Sequence, residues 1–336
     1  MTLSLTSFFF LMPLLAGSIL SISSSSWFGA WIGLELNLLS FIPLITTKMN
    51  PYSSEAALKY FLIQALGSTI IILSSSLFIS SPTYFLPLGL LALLLKLGAA
   101  PFHYWFPQVM EGLSWFQAFI LLSIQKLAPM FLISYLVINP MLIKIILLSA
   151  SLSAIIGALG GLNLMKLRKI LAFSSINHMS WMLIAISIND MMWMMYYMFY
   201  IIISLSVIIL FNSANAFSIS DLLIFNNTKS FFSLSLPLSL LSLGGLPPFT
   251  GFIPKWMMIQ SLLSEKMFII LTLLLFSALI TLYYYLRIMI PFLLMSNPTL
   301  FINIKLVNPF SSNLFLPLIT FFNFIGLILP IPFLFI

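Results

Sequence analysis

An apolar run from about residue 231 to residue 263 is longer than the roughly 20 residues that one bilayer crossing needs, yet it cannot be one helix. Its middle reads Leu243-Gly-Gly-Leu-Pro-Pro-Phe-Thr-Gly-Phe-Ile-Pro-Lys-Trp256. Proline removes a backbone donor and clashes with the preceding turn, so Pro247, Pro248 and Pro254 interrupt any continuous helix. The halves on either side, about 15 and 13 residues, are each too short to cross alone. The pattern predicts one crossing made of two half-helices joined by irregular backbone. Such backbone is tolerated at membrane depth only where protein buries it or a wet cavity satisfies it. Lys255 sits at the break, with no other charge between Lys229 and Glu265.

The rest of the chain explains why a membrane is the right frame. Charged residues make up 6% of 336 residues and hydrophobic residues 62%. Soluble domains run near 25% charged, and no soluble fold hides this much apolar surface. The apolar runs are long and continuous, which favours helices over the short alternating segments of a β-barrel. The fold class predicted is an all-α polytopic membrane protein.

Several function classes drop out. The chain has no cysteine, which excludes disulfides, thioether haem and Cys-ligated clusters. His103 and His178 are too few for a metal cluster. Neither a G-x-G-x-x-G turn nor a P-loop occurs. Gly157, Gly160 and Gly161 lie in an apolar helix, where close helix packing is the expected use. The net charge of +7 comes from scattered cations and not from a basic patch, so nucleic-acid binding is not expected.

About eleven crossings of bilayer length fit the chain, near 3–22, 27–46, 56–80, 84–106, 113–138, 142–165, 169–188, 191–212, 231–264, 267–291 and 314–336. The first starts almost at Met1, without a basic n-region, a cleavage site or a transit-peptide pattern. It is expected to be retained, as in a protein made in the compartment where it is inserted. Loops after even-numbered spans hold Lys48, Lys166, Arg168, Lys169, Lys229 and Lys305; those after odd-numbered spans hold only Lys144 and Lys266. The positive-inside rule puts the N-terminus on the matrix-like side and the C-terminus opposite. Trp27, Trp105 and Trp193 are expected as interfacial anchors.

The fourth span carries Leu95-Lys-Leu-Gly-Ala-Ala-Pro-Phe-His-Tyr-Trp-Phe-Pro107, a second Gly/Pro interruption beside a lysine. It lies five spans before the break at Lys255. Repeating an odd number of spans turns the second copy upside down, and paired interruptions point to an inverted-repeat transporter. The expected organisation is a single transmembrane domain over 1–336, with five-helix repeats at 1–138 and 142–291 and an added helix at 314–336. Coincidence of proline positions is the alternative.

Four charges fall inside spans: Glu35, Lys96, Lys126 and Lys255. A charge at bilayer depth costs about 2.5–3.5 kcal/mol even on the lenient insertion scale. It must therefore pair, face water or become neutral. One static salt bridge accounts for Glu35 and one lysine but not for three lysines. A proton relay accounts for all four. His103 and His178 suit proton transfer near neutral pH, and each serves equally as a packing residue. Ser174, Ser175, Asn177 and Ser180 make the His178 span polar enough to line a hydrated path. Glu55 and Lys59 have the i,i+4 spacing of an edge pair. Glu111, Asp190, Asp221 and Glu265 are expected in loops.

These stretches, with Trp31-Ile-Gly-Leu-Glu-Leu-Asn37, Gln125-Lys-Leu-Ala-Pro129 and Leu167-Arg-Lys-Ile-Leu-Ala-Phe-Ser-Ser-Ile-Asn-His-Met179, resemble the chain 2 family of mitochondrial NADH–ubiquinone oxidoreductases. These are antiporter-like membrane subunits of respiratory complex I. The resemblance runs in order from about residue 27 to residue 290 and has an animal, arthropod-like style. It implies an antiporter-like fold and a role in proton translocation in the mitochondrial inner membrane, among other membrane-arm subunits and lipids. It also implies that NADH, FMN, iron–sulfur clusters and ubiquinone are bound elsewhere in the complex. By motif position Glu35 matches the family's key glutamate, Lys96 its paired lysine, Lys126 the central-axis lysine and Lys255 the lysine beside the second broken helix. A stand-alone cation/proton antiporter and a non-transporting scaffold remain alternatives.

Overall fold

The computed structural model describes residues 5–47, 50–80, 82–137, 139–225 and 230–294. The eleventh expected span, 314–336, and Lys48, Lys229 and Lys305 lie outside the described residues. Regular structure among the described residues is helical apart from one isolated antiparallel bridge, Lys166 with Ser218.

The helices are α1 (Leu5–Ser23), α2 (Trp27–Ile45), α3 (Pro51–Ser80), α4 (Pro82–Leu97), α5 (Trp105–Gly112), α6 (Trp115–Leu122), α7 (Ile124–Leu136), α8 (Pro140–Gly160), α9 (Leu167–Ile188), α10 (Asp190–Ser213), α11 (Ile219–Phe225), α12 (Ser230–Gly244), α13 (Phe252–Ser264) and α14 (Phe268–Leu294). Seven apolar helical stretches among the described residues are long enough to cross a membrane, one of them formed by α6 and α7 together, and three shorter ones are Ser7–Ser23, Phe85–Leu97 and Ser235–Gly244. The last two of these precede the two Gly/Pro interruptions expected from the sequence.

The span expected to be unbroken over 113–138 departs from that expectation. Ser123, at φ −110° and ψ −92°, separates α6 from α7. No proline or glycine marks the kink. The Ser123 hydroxyl and amide both donate to the Phe119 carbonyl, at 2.6 and 2.9 Å, so α6 keeps its last ladder bond and the break falls just after it, where the Lys126 amide turns to the Ser123 carbonyl at 2.8 Å.

Contacts divide the chain into two compact units: Met1–Gly160 with Arg168–Trp193, and Gly161–Leu167 with Met194–Ile336. In the first unit α1 packs along α2 and α3 along α4. Small residues set these distances. A Cβ on Gly33 would lie 2.6 Å from the Ser21 amide nitrogen, so only glycine lets the α1 and α2 backbones approach this closely. Gly157 does the same between α8 and α9, where its Cβ would lie 2.6 Å from the Asn177 amide nitrogen. Gln117 caps α6 in a capping box with Ser114 and donates to the Leu44 carbonyl at 2.5 Å, tying α6 to the end of α2.

In the second unit α11, α12 and α13 pack on α14. Arg287 of α14 donates to the Leu162 carbonyl at 2.5 Å, and Gly161 leaves room for the ring of Tyr284. Asp221 accepts from the amides of Phe217 and Ser218 at 3.0 and 2.8 Å, which secures the start of α11.

Candidate functional site

At the first interruption α4 ends at Leu97, and Gly98 takes φ +71°, a left-handed conformation that glycine adopts without a Cβ clash. The Gly98 amide donates to the Leu95 carbonyl and the Ala99 amide to the Leu94 carbonyl, each at 3.1 Å. This is the Schellman pattern, which satisfies two of the carbonyls a helix leaves open. Side chains complete the closure. Trp105 Nε1 donates to the Leu95 carbonyl at 3.1 Å, and Gln64 Nε2 to the Lys96 carbonyl at 3.1 Å. A cis bond joins Ala100 to Pro101 before α5 begins.

Lys96 lies in the last turn of α4, buried against α3. A Cβ on Gly67 would lie 2.8 Å from its Cγ, so α3 makes room for the lysine by lacking a side chain there. Lys126 occupies the first turn of α7, directly after the Ser123 kink, and is 2% exposed. Its ammonium lies 5.0 Å from the centre of the Phe106 ring. Lys96 and Lys126 both line a small cavity of about 10 Å³, together with Tyr60, Gln64, Gln125 and the rings of Trp105 and Phe106. Two helix interruptions in one unit therefore bring two buried lysines to one space.

Glu35 is half-buried on α2. Among the described residues it makes no direct ion pair with Lys96.

The second interruption lies within the other unit and repeats the backbone of the first. Gly245 takes φ +74°, its amide donates to the Ser242 carbonyl at 3.0 Å and the Leu246 amide to the Leu241 carbonyl at 3.3 Å. In both breaks a cis bond enters a proline three residues after the left-handed glycine, at Pro101 and at Pro248. The side-chain closure differs. Lys255, buried in α13, donates to the Gly244 carbonyl at 2.6 Å. Its Cδ, Cε and Nζ would all lie within 2.9 Å of a Cβ on Gly245.

His103 is buried in the first break, its ring 4.2 Å from that of Tyr104. His178 is half-buried in α9. The hydroxyls of Ser174, Ser175 and Ser180 all donate back to α9's own carbonyls, at 2.9, 2.7 and 2.6 Å, so these three hydroxyls are turned inward on the helix.

Three expectations need correction. Trp105 and Trp193 are not interfacial anchors: both are buried, with Trp105 closing the α4 end and Trp193 donating to Asp190 Oδ1 at 3.3 Å. Glu111 is no loop charge but lies in α5, paired with Lys169 of α9 at 2.6 Å. Asp190 and Asp221 are no loop charges either: Asp190 opens α10 as its first residue and Asp221 lies in the first turn of α11. The Glu55–Lys59 edge pair is present at 2.6 Å. Tyr60, Gln64 and Gln125 carry no signal of their own in the sequence, since their partners lie dozens of residues away. Among the described residues no group of three or more His, Asp or Glu residues is placed to hold a metal ion.

A family model described as NADH:quinone oxidoreductase/Mrp antiporter, transmembrane, matches residues 24–281. The chain is 47% identical over 289 residues to NADH-ubiquinone oxidoreductase chain 2 of Anopheles gambiae, covering 83% of each chain. Among solved structures, a chain of respiratory complex I from Thermus thermophilus with bound aureothin superposes with a TM-score of 0.84 at 22% identity. That match covers 98% of this chain and 79% of the other. A chain of the archaeal membrane-bound sulfane sulfur reductase superposes with a TM-score of 0.83 at 18% identity, covering 96% and 73%. At these identities the structural matches speak for the fold alone, which is antiporter-like.

Proposed function

Because this chain belongs to the NADH:quinone oxidoreductase/Mrp antiporter family, within its NADH–ubiquinone oxidoreductase chain 2 group, we propose that it is a proton-translocating subunit of the membrane arm of respiratory complex I. The observation that carries this reading is the cavity shared by Lys96 and Lys126. Two cations buried in one space of a membrane-spanning unit cost too much to be retained for packing alone. They suit groups that exchange a proton and are never charged together for long.

The relay runs as follows. Electron transfer from NADH to ubiquinone takes place elsewhere in the complex, on cofactors held by other subunits. It alters the charge state at one end of the membrane arm. The interaction of Glu35 with Lys96 strengthens or weakens in response, and this changes the proton affinity of Lys96. A proton moves on to Lys126 across the shared cavity. Lys255, held against the end of α12, serves as the corresponding group of the second unit and passes the proton outward. His103 and His178 are further candidates for the route. The chain sits in the mitochondrial inner membrane as a multi-pass protein, with its N-terminus toward the matrix and its C-terminus toward the intermembrane space, among other membrane-arm subunits and lipids.

Two measurements test this. On a native gel of mildly solubilised membranes, the chain should co-migrate with a very large band that stains for NADH dehydrogenase activity. Migration alone or in a small inactive band would point to a stand-alone antiporter. In the assembled complex, Lys126→Met should lower proton pumping and coupled quinone reduction. Full pumping by that variant would sink the relay, and loss of assembly in its place would favour a scaffold.

A further inference from the structure

Tyr60 of α3 donates its hydroxyl to Gln125 Oε1 at 3.0 Å, and Gln125 Nε2 donates to Asn37 Oδ1 at 3.0 Å. Two bonds thereby join three helices of the first unit. α2 carries Asn37 two residues after Glu35, α7 carries Gln125 immediately before Lys126, and α3 carries Tyr60. Tyr60 and Asn37 are buried. The Tyr60 ring packs against Phe41 and Trp105, with centroids at 5.1 and 6.1 Å. A phenylalanine would supply that packing, so the hydroxyl is the part that requires an account. Burying a hydroxyl among apolar rings costs free energy unless it is bonded, and here its partner is the neighbour of Lys126.

We propose that Tyr60, acting through Gln125 and Asn37, is a positioning residue for proton transfer between Lys96 and Lys126, and that the cavity they share is a binding site for one water molecule. The proposal rests on the relay reading above. A volume of about 10 Å³ is near the space of one water-sized sphere. A buried water needs two to four polar partners, roughly what the cavity wall supplies. Lys96, Lys126, Tyr60, Gln64 and Gln125 all line it. A phenol oxygen carries one hydrogen and two lone pairs. Its hydrogen is committed to Gln125, so the lone pairs are what it can offer to a water or to a lysine ammonium. The Gln125 amide is gripped on both sides and cannot turn away from the cavity without breaking one of the two bonds. Because its far partner sits on the helix of Glu35, any shift of α2 that follows a change of charge at Glu35 pulls on the residue beside Lys126.

The test uses the intact complex in proteoliposomes, with NADH and a soluble quinone as substrates. Tyr60→Phe, Gln125→Met, the double variant and Lys126→Met are compared for assembly, for protons pumped per NADH and for the H2O/D2O rate ratio of coupled turnover. Tyr60→Phe should assemble normally, lose about five-fold in pumping rate as expected for one lost hydrogen bond, and show a raised isotope ratio. Gln125→Met should do the same, and the double variant should be no worse than either single one, because both break one chain. Wild-type pumping and isotope ratio in Tyr60→Phe, with Lys126→Met inactive, would overturn this inference and leave the relay standing. Slower turnover with an unchanged isotope ratio would assign the hydroxyl to packing and overturn it as well. Full pumping by Lys126→Met would remove the relay and this inference together. If Tyr60→Phe fails to assemble, Gln125→Met carries the same two readouts.

Discussion

Lys255 donates to the carbonyl of Gly244, eleven residues earlier in the chain, at 2.6 Å. The cation at the second interruption is thus also the closure of the half-helix that precedes it. Helix ends leave their last carbonyls without partners, and a cation placed there meets the negative end of the helix dipole. Proton loss from Lys255 weakens that closure, so the charge of the lysine and the seating of α12 depend on each other.

Gly245→Ala should strike this arrangement. A Cβ there would lie 2.6 Å from Lys255 Cδ, and the left-handed φ of +74° adds about 1–2 kcal/mol of backbone strain. The lysine is displaced while the rest of the unit stays intact. Pumping should fall by more than the amount of assembled complex, as measured by proton flux normalised to NADH-stained band intensity. Equal losses of both would show that the glycine serves folding only.

Gln64→Leu should leave the Lys96 carbonyl at the end of α4 without its side-chain donor. An unsatisfied buried carbonyl costs about 1–3 kcal/mol, less where water enters. The thermal midpoint of the assembled complex should drop, and coupled turnover should drop with it. An unchanged midpoint would mean that another donor replaces Gln64.

Gly157→Ala should impair assembly and not pumping per assembled complex. Its Cβ would meet the Asn177 amide nitrogen at 2.6 Å and the Phe173 carbonyl oxygen at 2.9 Å, both backbone atoms of α9. Overpacking of this kind costs about 1–3 kcal/mol. Gly89→Ala is the matched control, because its nearest neighbour is the Ser74 hydroxyl at 3.6 Å. Native-gel yields that are the same for the two variants would contradict the close approach of α8 and α9.

Glu111→Gln should do little to transport. The Glu111–Lys169 pair is 27–28% exposed, and pairs in contact with solvent contribute about 0–1 kcal/mol. Proton flux should stay at the wild-type level, with a small loss of thermal stability at most. A loss comparable to that of Lys126→Met would give this edge pair a place in the relay.

The two Gly/Pro interruptions were legible in the sequence because the residues that make them are chemically distinct. Gly98 with Pro101 and Gly245 with Pro248 set a glycine and a proline within three residues of each other, whereas lone prolines such as Pro13, Pro43, Pro87 and Pro129 stay inside helices. Lys96, Lys126 and Lys255 stood out by charge, and the structure buries all three. The kink at Ser123 was not legible, since serine is at home in transmembrane helices: Ser68, Ser149 and Ser153 bond back to their own helices without a break, and only the backbone angles of Ser123 reveal the bend. Trp105 and Trp193 misled because tryptophan is equally suited to a membrane interface and to a buried site with one partner for its N–H. The meeting of Tyr60, Gln125 and Asn37 was invisible for another reason, although Asn37 and Gln125 lie in the stretches that carry the family resemblance. Their bonds join positions 65 and 88 residues apart, and nothing local records such a meeting.

At both interruptions protein groups finish the broken helix's hydrogen bonds: the Gly98–Leu95, Ala99–Leu94, Gly245–Ser242 and Leu246–Leu241 backbone pairs, with Gln64 and Trp105 at one end and Lys255 at the other. The backbone at these points therefore does not depend on solvent to stay folded. A barrier that must hold a voltage cannot contain a standing column of liquid, because such a column would short-circuit it. Breaks closed by protein groups let the interior be dry for most of the time and wet for an instant without water being needed to hold the backbone. Under the proposed relay, that tolerance is the mechanical requirement of a valve, which an open pore built of the same helices would not meet.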